Sequence, residues 1–299
     1  MKKTEENRYP HSATLFRFCK EALEIRYEGN VKVIDQDVGA ILGYDPADCS
    51  HWKKGKKNIR ALATLRSIAD HLNIDERLLI DIAAGNIGLE EAVFEYRGYG
   101  AFALSGRSLE NLKKEYFKNP TRWHQEGSSQ TFEELFDVDR QSVAKAASAV
   151  LSMGNFTEAP IYLPEIVQLF NGLKLVADDN ISEPTTVTVS ADSADGVTIS
   201  YRGPEMRPYQ RFLVAKELFK YLVTSGHAIG ERFRGNPQEV IDIQSNMFAG
   251  MLLIPGNLLR KEVEQIDSSM DLVLQLADTF WVSKALMNQR LRDYMEHLS

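Results

Sequence analysis

Residues 209–223 read "YQRFLVAKELFKYLV", and the reading of this stretch decides what the second half of the chain is. Its apolar-polar rhythm predicts an amphipathic helix over 208–223. Lys216, Glu217 and Lys220 stand together on it, because positions four apart lie on the same side of a helix. A zinc-hydrolase helix uses this spacing for two histidines, whose neutral nitrogens hold the metal, with a glutamate beside the first to activate bound water. Here the glutamate is present and both ligand positions are lysines. A protonated lysine has no lone pair for zinc, and two cations one turn apart repel the ion. The stretch is therefore a peptidase's helix, the remains of one, or a helix that merely contains a glutamate.

The rest of the chain narrows the choice. It has 299 residues, 43% of them hydrophobic, enough for a substantial core and most simply divided into two folding units. No apolar stretch is long enough to cross a bilayer, and the opening "MKKTEENRYPHS" is polar with no signal-peptide core behind it, so cytoplasmic residence and no membrane partner are expected. Cys19 and Cys49 are too few for a disulfide framework or a thiolate zinc site, and the six histidines form no close ligand pair. The formal net charge of −7 argues against a surface that binds nucleic acid everywhere. Yet Ser50 to Arg66, "SHWKKGKKNIRALATLR", carries six lysines and arginines and no acid. One basic face on an acidic protein fits a single DNA-binding module joined to something else.

Residues 1–85 read as a compact set of five short helices, with Gly43, Gly55 and Gly85 at turns or exits and Asp45-Pro46 as a helix start. Residues 86–127 are less regular and read as a linker, or an extension packing on the second unit, with "SLENLKKEYFKN" as a charged helix candidate. Residues 128–299 form the second unit. In it, "QTFEELFDVDRQSVAKAASAVLSMG" is helical, "APIYLPEIVQLFNGLKLVADD" is a short helix entering a strand, and "TTVTVSADSADGVTISYRG" is a hairpin around an Asp-Gly turn. Further helices are expected over 208–223, 237–253 and at the C-terminal end, giving an α+β domain with a small antiparallel sheet.

Within the first unit, "VGAILGYDPADCSHWKKGKKNI" has the form of two helices joined by a tight turn. Val38 and Ile41 or Leu42 supply buried positions, Gly39 allows close helix contact, Gly43 marks the turn and Trp52 anchors the second helix. Ser50, His51, Lys53 and Lys54 then face bases or phosphates, and Lys56, Lys57 and Arg60 suit the backbone beyond. A solvated basic helix face would account for the charges equally simply. Asp45 and Asp48 favour a helix N-terminus rather than phosphate contact. Through Val38, Gly39, Leu42, Gly43, Ser50, Trp52 and Gly55, and through "LRSIADHLNI" after them, about residues 15–85 resemble the lambda-repressor-like XRE family of helix-turn-helix regulators. Asp35 and Lys53 depart from that family's usual glutamine and glutamate.

The second unit resembles the ImmA/IrrE-like metallopeptidases over roughly residues 132–298. The landmarks are Pro160, Leu163 to Phe170, "GLKLV", the hairpin, "RFLVAKELFKYLV", "SNMFAGMLLIP" and "VSKALMNQRLRDY". The resemblance places the metal ligands at Lys216 and Lys220, the general base at Glu217, and an acidic third ligand near Gln244, with Asp242 or Glu239 as alternatives. Only Glu217 keeps the family's residue among the first three. In a closed site Glu217 would pair with Lys220, or Lys216 with Asp242, turning a metal cleft into a salt-bridged one; alternatively the three face solvent. His227 is too far along to replace a ligand, Phe280, Trp281 and Val282 read as packing, and Arg290 and Arg292 as surface.

Together these features give an all-α helix-turn-helix N-terminal domain plus an α+β, zincin-like C-terminal domain. The expected function is a sequence-specific DNA-binding transcriptional regulator, a homodimer on double-stranded DNA. Its non-catalytic second domain would sense a small ligand, bind a regulatory protein or support assembly. No cofactor, no metal and no confident catalytic residue are expected. The rivals are a metal-dependent protease that cleaves a protein partner, and an interaction scaffold that binds no DNA.

Overall fold

Trp52 explains why the first helices assemble as they do. In the computed structural model, which describes residues 7–27, 32–98, 132–189, 196–236, 238–266 and 271–296 (the side chains of 132–139, 189, 239 and 296 excepted), its indole is fully buried. Helices α1 (Pro10–Arg26), α2 (Asp35–Ala40), α3 (Pro46–Lys53), α4 (Leu62–Leu72) and α5 (Glu76–Ala84) follow in order. From α3, the Trp52 ring meets Phe16 of α1 edge-on at 5.2 Å and Tyr44 at 6.0 Å, and its Nε1 donates to the Ser12 carbonyl at 2.9 Å. The buried N–H is thereby satisfied while the ring fills the core. Asp45 caps α3, its Oδ1 accepting from the Asp48 amide at 2.8 Å, with Pro46 behind it.

Between α2 and α3 the chain turns at Gly43, whose φ is +64°. A Cβ at Gly39 would stand 2.9 Å from the Cys49 Cβ, so only glycine lets α2 lie this close to α3. Leu15, Phe16, Val38, Ile68, Leu79 and Ile82 join Trp52 in one shared core. The core does not end at Gly85. Helix α6 (Leu89–Arg97) packs on α1 and contributes Ala92 and Val93 to it. The first compact unit spans residues 1–109, and α6 lies within it. The helix expected at 108–119 lies outside the described residues.

The second unit, residues 110–299, begins its described part with α7 (Phe132–Met153) and α8 (Leu163–Gln168), which leads into β1 (Leu173–Ala177). Strands β2 (Thr185–Val189) and β3 (Val197–Tyr201) pair antiparallel, with Val187 opposite Ile199; the hairpin's residues 190–195 lie outside the described residues. The sheet is mixed, not antiparallel throughout, because β3 returns between the other two and runs parallel to β1, with Leu175 opposite Ile199. Gly196, at φ +66°, lies against the Gly172 backbone where no side chain fits. Helices α9 (Pro208–Thr224), α10 (Ala228–Glu231), α11 (Gln238–Leu253), α12 (Gly256–Val263), α13 (Leu272–Phe280) and α14 (Lys284–Glu296) complete the unit. The pair α9 and α11 is its centre: α11 packs along α9 on one side and against α7 on another. No helix among the described residues is long and apolar enough to cross a membrane.

Candidate functional site

Helix α9 is fixed at its start and along one side, and this sets the direction of its charged residues. Gln210 Oε1 accepts from the Arg207 amide at 2.8 Å, while Gln210 Nε2 donates to the Arg202 and Pro184 carbonyls, tying the first turn to the sheet. Phe212, Val214, Ala215, Leu218, Phe219 and Leu222 are fully buried, and Phe219 meets Phe233 at 5.0 Å and Phe248 of α11 at 5.1 Å. Tyr221 donates to the Asn171 carbonyl at 2.8 Å. With that face committed, Lys216, Glu217 and Lys220 come to the half-buried side of the helix.

Lys220 is the centre of the site. Its Nζ donates to Glu217 Oε1 at 3.0 Å and stands 3.3 Å from Asp242 Oδ1, reaching from α9 to α11. Burial works against the Lys220 ammonium, but the charges of Glu217 and Asp242 and their hydrogen bonds outweigh it and hold the group above the ordinary lysine range. One ammonium thus faces two carboxylates from two helices. The pair with Asp242 is made by Lys220, one turn beyond the Lys216 considered from the sequence; the Lys216 Nζ lies over the Phe212 ring, 5.8 Å from its centroid. The solvated reading of the three residues does not hold, since the Lys220 and Glu217 side chains keep only 29% and 23% of their exposure.

Asp242 and Gln244 separate clearly. Asp242 points to α9, whereas Gln244 is buried and its Oε1 accepts from Asn236 Nδ2 at 3.2 Å, with its Nε2 left without a partner. Asp242 is therefore an acidic group that α11 offers to the site, Gln244 belongs to the packing beneath, and the side chain of Glu239 lies outside the described residues. His227 caps α10, its Nδ1 accepting from the Ile229 amide at 3.3 Å, and lies edge-on to Phe170 at 5.3 Å. Among the described residues zinc does not fit this donor set: Glu217 and Asp242 are its carboxylates, the two α9 positions that the resemblance gives to metal ligands carry lysines, and the Lys220 ammonium itself stands within 3.3 Å of each acid. Among the described residues no cluster of three histidine, cysteine, aspartate or glutamate side chains could hold a metal ion.

In the first unit the basic residues divide. His51, Lys53, Lys54 and Arg60 are exposed, and Ser50, Lys56 and Lys57 are half-buried. Lys53 is bound to Asp35, which also takes Lys20 at 3.2 Å; the Lys53 hydrogen bond, above all, holds the Asp35 carboxyl below the usual carboxylate range. Lys57 pairs with Asp48 at 2.9 Å and lies 3.8 Å from the centre of the Tyr44 ring. Lys53 and Lys57 are thus engaged within the unit, while Lys54 and Arg60 have no acidic partner among the described residues.

Two positions differ from the sequence reading. Trp281 is 54% exposed, because it ends α13 in the left-handed region at φ +53°, while Phe280 and Val282 beside it are buried. Arg290 is not on the surface: it is 8% exposed and donates to the Ile254 carbonyl at 3.2 Å. Arg211 is likewise buried, donating to the Ile161 carbonyl at 2.8 Å, and burial lowers its pKa to about 10. An arginine on the apolar side of a helix is the signal that would have marked it.

The mixed sheet and the helices packed on it make the second unit an α+β domain, an arrangement compatible with a peptidase-like fold. Residues 191–292 match the family model of the IrrE N-terminal-like domain (Peptidase_M78), a span that takes in β3 and α9 to α13 and most of α14. No curated protein sequence matches the chain.

Proposed function

We propose that the protein is a sequence-specific DNA-binding transcriptional regulator whose IrrE-like domain is not a peptidase. The observation that carries the second half of this reading is the Lys220 ammonium between Glu217 and Asp242. The general-base position is kept, but its carboxylate is taken up in an ion pair, and among the described residues none nearby supplies the neutral nitrogen donors on which a zinc-bound water depends. A scaffold of this kind, relieved of its metal chemistry, suits a domain that senses a ligand, binds a regulatory protein or supports assembly.

The DNA-binding half is supported by the short α2 and α3 joined at Gly43, by the anchoring of α3 through Trp52, and by the basic run from Lys53 to Arg60. On this reading α3 enters the major groove, Ser50, His51 and Lys54 reach base edges or phosphates, and Lys56 and Arg60 hold the backbone. Asp35 and Asp48 orient Lys53 and Lys57 rather than meeting the DNA. A homodimer would place two such helices in successive major grooves. The test is capture of genomic fragments by the purified full chain. One enriched inverted sequence, bound tightly at low salt and weakened by the Ser50/Lys54/Arg60 triple alanine variant, is the expected result. Binding with no sequence preference, or equal binding by that variant, would overturn the reading.

A further inference from the structure

Helix α7 lies outside the family match, and where it packs beside α11, α12 and α14 it leaves a groove of about 1030 Å³. The hollow exists because the residues meeting there are small: Ala144, Ala147 and Ser148 on α7 face Pro255 and Gly256 at the start of α12. A volume of this size is at the upper end of what small-molecule sites occupy. Leu151, Phe156 and Met251 give part of its wall an apolar character.

Its charge is concentrated at one end. Arg290 and Arg140 line the groove, and both reach Asp293 Oδ2 at 3.4 Å. The Arg290 side chain is only 9% exposed, and its Nε has no hydrogen-bond partner among the described residues. Apart from Asp293, and the Ile254 carbonyl for Arg290, neither guanidinium has another acceptor among the described residues. Two guanidiniums with donors to spare therefore share a single carboxylate, next to an apolar wall.

We infer that this groove binds a small organic anion, a carboxylate carried on an apolar body, with Arg140 and Arg290 holding the carboxylate beside Asp293. The inference gives the sensing role proposed above a place and a chemical class. It stands whether or not the first unit binds DNA, because every residue it uses belongs to the second.

The full chain should be titrated by calorimetry with benzoate, 3-phenylpropionate and octanoate, and with the amide of each. At least one acid should bind saturably, with its amide weaker by tenfold or more, since the charge-assisted contacts to the guanidiniums are lost. Arg140→Gln, at a partly exposed position, should weaken the acid about tenfold, and Ser148→Trp, which fills the groove from an exposed site, should abolish binding. Melting curves check that both variants are folded. The inference is overturned if none of the acids binds in the millimolar range, if acid and amide bind alike, or if Ser148→Trp binds as the unchanged protein does. DNA capture is read separately, so either result can fail without the other.

Discussion

Lys220 holds two carboxylates from different helices, and its removal takes that shared ammonium from both Glu217 and Asp242. Both Lys220 and Glu217 are largely shielded, so Lys220→Met should lower stability by about 1–2 kcal/mol after allowance for the exposure of Asp242. Urea denaturation of the two proteins measures this. The pH dependence follows from the raised Lys220 pKa. A group whose folded pKa lies above its unfolded value stabilises fully below the unfolded value, about 10.4 for lysine, and loses that contribution as pH rises through the folded value. The difference between wild type and Lys220→Met should therefore be level from neutral pH to about 9 and shrink in stronger alkali. A second residue-level expectation concerns Gly39. A methyl there meets Cys49 at 2.9 Å, so Gly39→Ala should cost about 1–3 kcal/mol through overpacking, read as a lower urea midpoint.

Among the elements, α3 and α9 carry the two functional readings, and they were legible to different degrees. The periodicity of "YQRFLVAKELFKYLV" marked α9 and its buried face because apolar spacing and helical geometry share one period. It could not say which α11 acid would meet Lys220. Asp242 and Gln244 are two residues apart and so face different sides of α11, a difference visible only once α9 and α11 are packed. The sheet shows a similar limit: the hairpin was written in its alternating residues, but a strand pattern carries no information on which neighbour it takes, so the parallel pairing of β1 with β3 was missed. Trp281 and Arg290 were misplaced for local reasons, one by a left-handed backbone and the other by a carbonyl at Ile254 that accepts its guanidinium deep in the fold. For α3, Lys54→Ala should weaken binding of all DNA sequences and reduce the slope of log K against log salt by about one, as loss of a phosphate contact requires. Lys53→Ala, whose lysine is shared with Asp35, should change that slope less. Fluorescence titrations across a salt series compare the two.

Over the whole molecule the chain forms two compact units, and the acidic net charge of −7 is compatible with the proposed DNA binding because the basic run is confined to the first of them. The second contains the IrrE N-terminal-like match, and a lysine ammonium stands between the two carboxylates at its α9–α11 site. If a lysine ammonium has taken the place of a metal, then restoring the ligand type should restore the metal. Zinc content after dialysis against buffered zinc, compared between the unchanged protein and the Lys216→His/Lys220→His double variant, measures this directly. The account predicts no tightly held zinc in the unchanged protein and near-stoichiometric zinc in the double variant, lost again on adding Asp242→Ala. Near-stoichiometric zinc in the unchanged protein, removed by changing Glu217 or Asp242, would contradict it.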